Sequence, residues 1–217
     1  MTDFAAARHA MVDCQIRPSD VTRYPIIDAM LNVPREEFVP VSQRPVAYAG
    51  QELPLGNGRV MLSPREFGKM LDAMEITPEE LVLHIGTGLG YGAAVLGRLA
   101  EAVISVEENE DLAGNAAETL AAQQVDNVAI TNGPLTAGDP DHAPYDVILI
   151  EGGVEEVPVA LTDQLKDGGR IGAFVMEGAV GQFRVGYKSD SSISWRAVFD
   201  ATSPVLPGFI AEDAFSL

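Results

Sequence analysis

Leu81-Val82-Leu83-His84-Ile85-Gly86-Thr87-Gly88-Leu89-Gly90-Tyr91-Gly92 is an apolar run that passes straight into closely spaced glycines and then into a helical pattern. Glycine lets a chain leave a strand in a sharp turn and lets backbone approach a ligand where a Cβ would collide, at the crevice beyond the strand's carboxyl end. A second apolar segment, Val103 to Glu107, ends on a carboxylate about 20 residues after the first glycine, where it can accept both hydrogen bonds of a ribose diol. The competing interpretation is a tight turn of a doubly wound fold with Glu107 merely solvated. Further apolar runs at Val128 to Thr131, Asp146 to Glu151 and Arg170 to Met176 are separated by helical stretches near residues 91–100, 110–123 and 158–166. Continuous apolar strands alternating with helices predict a mostly parallel, doubly wound sheet covered on both faces. Gln182 to Tyr187 and Ser194 to Asp200 instead alternate apolar and polar residues across Lys188-Ser189-Asp190-Ser191, which predicts an antiparallel hairpin at the carboxyl-terminal sheet edge.

Upstream of about residue 76 the pattern is helical and punctuated by proline. Ile26, Ile27, Met30 and Leu31 recur at helical spacing, and Val33-Pro34-Arg35-Glu36-Glu37-Phe38-Val39-Pro40 closes the segment. Residues 1–217 are therefore expected to form one domain, with residues 1–75 as a helical and loop cover and residues 76–217 as an α/β core of Rossmann-like type. The length and the 47% hydrophobic content suffice for a core of that size.

Charge and cysteine usage narrow the function. Thirty-two Asp and Glu against 14 Lys and Arg give a formal charge of -18, a field that repels polyanions, so nucleic acid is a poor partner. Mean hydropathy is +0.10, and no apolar run approaches the roughly 20 residues of a membrane span. With no leader pattern and one cysteine, Cys14, the expectation is a soluble cytoplasmic protein with no membrane partner, no internal disulfide and no metal. Cys14 is expected to be a packed helix residue. Oligomeric state is not legible.

The register of the glycines bears on the ligand. Gly86-x-Gly88-x-x-Tyr91 lacks the third glycine of the dinucleotide pattern, whereas Gly86-x-Gly88-x-Gly90 suits the methionine-bearing nucleoside S-adenosylmethionine. The shifted count Gly88-x-Gly90-x-x-Ala93 leaves dinucleotide binding as a lesser alternative.

Several blocks taken together resemble the protein-L-isoaspartyl O-methyltransferase family. They are Met11-Val12-Asp13-Cys14-Gln15-Ile16-Arg17 with Asp28-Ala29-Met30 and residues 33–40, then Ala47-Tyr48 and Leu53-Pro54-Leu55-Gly56. Next come Ile85 to Tyr91, Ala94-Val95-Leu96, Ser105-Val106-Glu107 and Gln164 to Arg170. The resemblance covers nearly the whole chain. It implies a Rossmann-like class I methyltransferase fold, S-adenosylmethionine as cofactor, and methylation of the free carboxylate of isoaspartyl residues in proteins or peptides, a repair step. It also implies cofactor contacts at His84, Gly86, Thr87, Gly88, Gly90, Glu107, Gly133 and Pro134.

Four positions depart from the family pattern. Its Thr-Ile-Ser before a proline is Val60-Met61-Leu62 here, so the hydroxyl expected beside the substrate is lost at Leu62, with Ser63 one position late. Its acid before the glycines is His84, and an Asp near the adenine aligns with Pro134 in Gly133-Pro134-Leu135. A threonine at the end of the fourth strand aligns with Glu151, which places an acid where a substrate carboxylate would lie. Ser63 and Glu151 are therefore the candidates for a catalytic role. A weakened isoaspartyl methyltransferase, a methyltransferase for an amine or cationic substrate with Glu151 in its pocket, and a non-catalytic cofactor-binding relative all remain open.

Overall fold

A computed structural model describes residues 3–56, 58–190 and 192–211. Seven strands form the main sheet: β3 (Leu81–Ile85), β4 (Ala102–Glu107), β5 (Val128–Asn132), β6 (Tyr145–Val154), β7 (Leu165–Glu177), β8 (Val180–Ser189) and β9 (Ser192–Asp200). Their spatial order is β5-β4-β3-β6-β7-β8-β9, parallel through β7 and antiparallel across β7, β8 and β9. A separate two-stranded ribbon pairs β1 (Leu53–Gly56) with β2 (Arg59–Met61). The α/β class, the doubly wound parallel core and the edge hairpin expected from the sequence are all present.

Strand alternation sorts the core. Val82, Val103, Val147 and Leu149 point to one face, packed under α1 (Phe4–Met11), α2 (Tyr24–Asn32), α3 (Pro64–Met74) and α4 (Tyr91–Gly97). Leu83, Ile85, Ile104, Val106, Ile148 and Ile150 point to the other, with Leu161 of the short α6 (Val159–Asp163), while α5 (Glu110–Ala122) connects β4 to β5. The period of two then predicts that His84, Ser105, Glu107 and Glu151 emerge at the strand ends on the α3/α4 face. The site is assembled there.

Three sequence expectations are corrected. β7 begins at Leu165 rather than Arg170, because Tyr145 pairs with Leu165 and Val147 with Arg170, leaving Lys166 to Gly169 as an irregularity with Gly168 at φ 78°. That bulge shortens the helix expected at 158–166 to α6. Cys14 is exposed rather than packed. It lies in a π-helical turn, Val12–Ile16, in which Val12 and Ile16 take the inward positions.

Arg170 ties β7 to the connection ahead of β3. Its guanidinium grips Glu80 through both oxygens at 2.7 and 2.8 Å and donates to the Met74 carbonyl, while the Thr77 N–H donates to Glu80 at 2.8 Å. Burial pushes the Glu80 carboxyl up, but these donors outweigh it and hold the carboxyl below its ordinary value. A carboxyl depressed in the folded state adds stability that is present above its unfolded value of about 4.3 and is lost as pH falls through the lower, folded value. Glu80→Gln is accordingly expected to flatten the loss of stability between about pH 5 and pH 3. Urea denaturation across that range checks it; an unchanged slope would contradict the assignment.

Candidate active site

The turn after β3 is built on glycines with positive φ: Gly86 at 91°, Gly88 at 56° and Gly90 at 96°. An L side chain is strained in that region, and Gly90 also serves as the left-handed residue from which α4 starts. Gly86 and Thr87 donate their N–H groups to the Val106 carbonyl, which locks the turn to β4. At the end of β4 Glu107 is fully buried. Its Oε2 accepts from the Gly88 N–H at 2.8 Å, and its Oε1 accepts from the Asn109 N–H at 3.1 Å and from Arg59 Nη1 at 2.8 Å.

His84, Thr87 and Glu151, separate in the sequence, join in one buried chain. Glu151 Oε2 meets His84 Nε2 at 2.9 Å, His84 Nδ1 meets Ser105 Oγ at 2.8 Å, and Ser105 Oγ meets Thr87 Oγ1 at 2.6 Å. Glu151 thus rests on His84, itself anchored on Ser105. Gly92 makes room for it, since a Cβ there would lie 1.8 Å from Glu151 Oε2. Gly92→Ala is expected to push Glu151 off His84 and to cost about 1–3 kcal/mol, the penalty of leaving a buried polar group unpaired. Denaturation, together with the His84 ring resonances in NMR, reads both effects; an unshifted ring would count against the contact.

Leu62 and Ser63 lie elsewhere. The Leu62 side chain is packed into the core, 1% exposed, and its carbonyl accepts from Arg35 Nη2. Ser63 caps α3: its Oγ accepts from the Glu66 N–H at 3.2 Å and donates to Glu66 Oε2 at 2.7 Å. Gly133 donates its N–H to the Glu107 carbonyl at 3.2 Å, which sets Gly133 and Pro134 beside the end of β4. Among the described residues no group of three or more His, Cys, Asp or Glu is placed to hold a metal ion, and no helix is long and apolar enough to cross a membrane.

The chain matches the protein-L-isoaspartate(D-aspartate) O-methyltransferase family over residues 6–200. It belongs to that family. A protein-L-isoaspartate O-methyltransferase of Roseiflexus castenholzii is 40% identical over 169 residues, 78% of this chain and 77% of the relative. One from Synechococcus sp. is 42% identical over 168 residues, 77% and 69% of the two chains. Among solved structures, a protein-L-isoaspartate O-methyltransferase superposes with a TM-score of 0.81 at 26% identity over 93% of this chain, which spans 66% of that longer one. A beta-aspartate methyltransferase from Plasmodium falciparum, solved with S-adenosyl-L-homocysteine, shares the fold with a TM-score of 0.79 over 95% of this chain and 99% of that one, at 16% identity.

The glycine turn and the end of β4 together form a backbone cradle beside a buried carboxylate. The space beside them is another matter. A Cβ at Gly88 would lie 2.8 Å from Leu55 Cδ1, and the gap left between the turn, the β1–β2 ribbon and Glu151 is about 10 Å³. That holds at most one water. Sequence reasoning missed Leu55, Arg59, Ser105 and Gly92 at this site. Arg59 had one detectable signal, a lone cation beside the apolar Val60-Met61-Leu62 in an acidic chain.

Proposed function

We propose that the protein transfers the methyl group of S-adenosylmethionine to the free carboxylate of isoaspartyl residues in proteins or peptides. The observation that carries this reading is the positive-φ glycine turn locked to a buried Glu107 in a chain that matches the family over residues 6–200. When bound, the cofactor supplies an electrophilic methyl group on a sulfonium, so an acceptor carboxylate, already ionised at neutral pH, needs no base. The protein's part is positioning and the exclusion of water. Gly86, Gly88 and Gly90 allow close approach of backbone, Glu107 accepts from the ribose hydroxyls, Gly133 and Pro134 flank the base, and the Thr87-Ser105-His84 chain fixes Glu151. Residues 1–75 and 76–217 act as cover and core of one domain, working in the cytoplasm, where an exposed free thiol such as Cys14 stays reduced.

Glu151 repels an acceptor carboxylate, because like charges at low local dielectric oppose one another. Glu151→Thr is therefore expected to raise turnover of an isoaspartyl peptide by about tenfold, equivalent to roughly 1.4 kcal/mol, mainly by lowering KM. Leu62→Ser alone is expected not to help, because position 62 faces the core. Methyl incorporation at saturating cofactor measures both. Glu151 also favours a second reading, an amine or cationic acceptor. A fall in Glu151→Thr activity toward such an acceptor, with no methylation of isoaspartyl peptide by either protein, would select that reading over the first.

A further inference from the structure

The carboxylate that the proposed function assigns to a ribose is already paired within the chain. Arg59, the first residue of β2, donates from Nη1 to Glu107 Oε1 at 2.8 Å, with side-chain exposures of 6% and 0%. Its Nη2 also stands 3.2 Å from where a Cβ of Gly86 would be, while Leu55 of β1 fills the space over Gly88. One element, the β1–β2 hairpin, therefore covers both halves of the cradle, the carboxylate with a guanidinium and the turn with a leucine. A nucleoside and this hairpin cannot both lie against the turn.

The hairpin is built to separate from the sheet. Among the described residues its two strands pair through the backbone with each other and with no strand of the seven-stranded sheet, with an irregularity between Pro54 and Gly56. Gly56 and Gly58 are both at positive φ, and among the described residues no atom lies within 4 Å of a Cβ built on either. Its buried anchors are Leu53, Met61 and Arg59. Of these only Arg59 makes a polar bond to the cradle, and that bond ends on the atom a ribose hydroxyl would need.

We infer that the β1–β2 hairpin is an autoinhibitory latch on the cofactor cleft, in which Arg59 and the ribose diol compete for Glu107. This rests on the cofactor reading above. The adenosyl group binds as Arg59 leaves, its hydroxyls replacing the guanidinium on Glu107 while the freed cation regains water. Leu55 withdraws with the same ribbon, and the adjoining Val60 to Ser63 is repositioned. Loading the cofactor thereby displaces the segment that leads from β2 into α3. Apparent affinity is lowered by the fraction of molecules whose cleft is open, so releasing the latch raises it without any new contact.

The experiment is calorimetric titration of the full chain and its variants with S-adenosyl-L-homocysteine, alongside amide hydrogen exchange of residues 53–61 without ligand. Arg59→Gln is expected to bind about tenfold tighter or more, a gain of roughly 1.4 kcal/mol, and to exchange faster across the hairpin. Leu55→Ala, which leaves the ion pair and its buried charges intact, is expected to tighten binding severalfold. It keeps the test valid should Arg59→Gln fold poorly. Binding by Arg59→Gln and Leu55→Ala that is equal to or weaker than that of the unmutated protein would overturn the latch and leave the cofactor reading standing. Absence of binding by all three proteins at about 1 mM would overturn both.

Discussion

Arg35→Met is expected to lower the stability of the folded protein by about 3–5 kcal/mol, read as a shift of the urea midpoint with an unchanged slope. Among the described residues Arg35 is the largest fully buried side chain, and no carboxylate of theirs pairs with it. Its guanidinium donates from Nε to the Ala47 carbonyl at 2.7 Å and from Nη2 to the Leu62 carbonyl at 2.6 Å, and it lies 4.8 Å over the Tyr91 ring. Methionine fills a similar volume but orphans both carbonyls, at about 1–3 kcal/mol each, and removes a cation–π contact worth up to about 2 kcal/mol when desolvated. Relief of the buried charge offsets part of this, because burial already pushes the guanidinium below its ordinary range. Lysine should not rescue the protein, since a single ammonium cannot reach two carbonyls from different segments in the geometry of a planar fork. A midpoint shift equivalent to less than about 1 kcal/mol would show that the two carbonyls find other donors.

Glu107→Ala is expected to be nearly as costly, and for a reason separate from the cofactor. It leaves Arg59 as an uncompensated buried charge and removes the acceptor from the Gly88 and Asn109 N–H groups. Breaking a buried pair from one side costs about 3–5 kcal/mol, whereas replacing both partners with apolar residues is often close to neutral. The double variant Arg59→Met/Glu107→Ala should therefore lose less stability than the sum of Arg59→Met and Glu107→Ala, with a coupling energy of about 2–3 kcal/mol in the double-mutant cycle. Strict additivity would mean that the guanidinium escapes to water once its partner is gone. Under the proposed function, cofactor affinity responds differently: a variant without the carboxylate is expected to bind S-adenosyl-L-homocysteine about 1.5–3 kcal/mol more weakly, the worth of hydrogen bonds to a charged group.

Linear pattern alone determined the architecture, because both signals it relies on are local. Periods of two and of 3.6 separate strand from helix in any segment long enough to bury a face, and a strand running into Gly86, Gly88 and Gly90 reads as ending in a tight turn of the kind that glycine permits. The same locality made Glu107 readable, since the acid's place at the end of the second strand follows from counting along one βαβ unit. Element ends were less legible. The bulge at Lys166 to Gly169 depends on how β7 meets β6, and the exposure of Cys14 on a π-turn whose hydrogen bonds no composition reveals.

Only the tertiary structure decided what those residues touch. Glu151 read alone is an acid facing a substrate; its contact with His84 and its seat over Gly92 join residues from β6, β3 and α4, a juxtaposition created by strand order rather than spacing. Ser63, a candidate hydroxyl in the sequence, is committed to capping α3 because α3 begins at the next residue. Arg59 is the plainest case. Its position in the chain assigns it no role, and its meeting with Glu107, 48 residues away, exists only because the hairpin folds down over the crevice. Pairings of this kind are set by the packing of whole elements, and one sequence carries no local record of them.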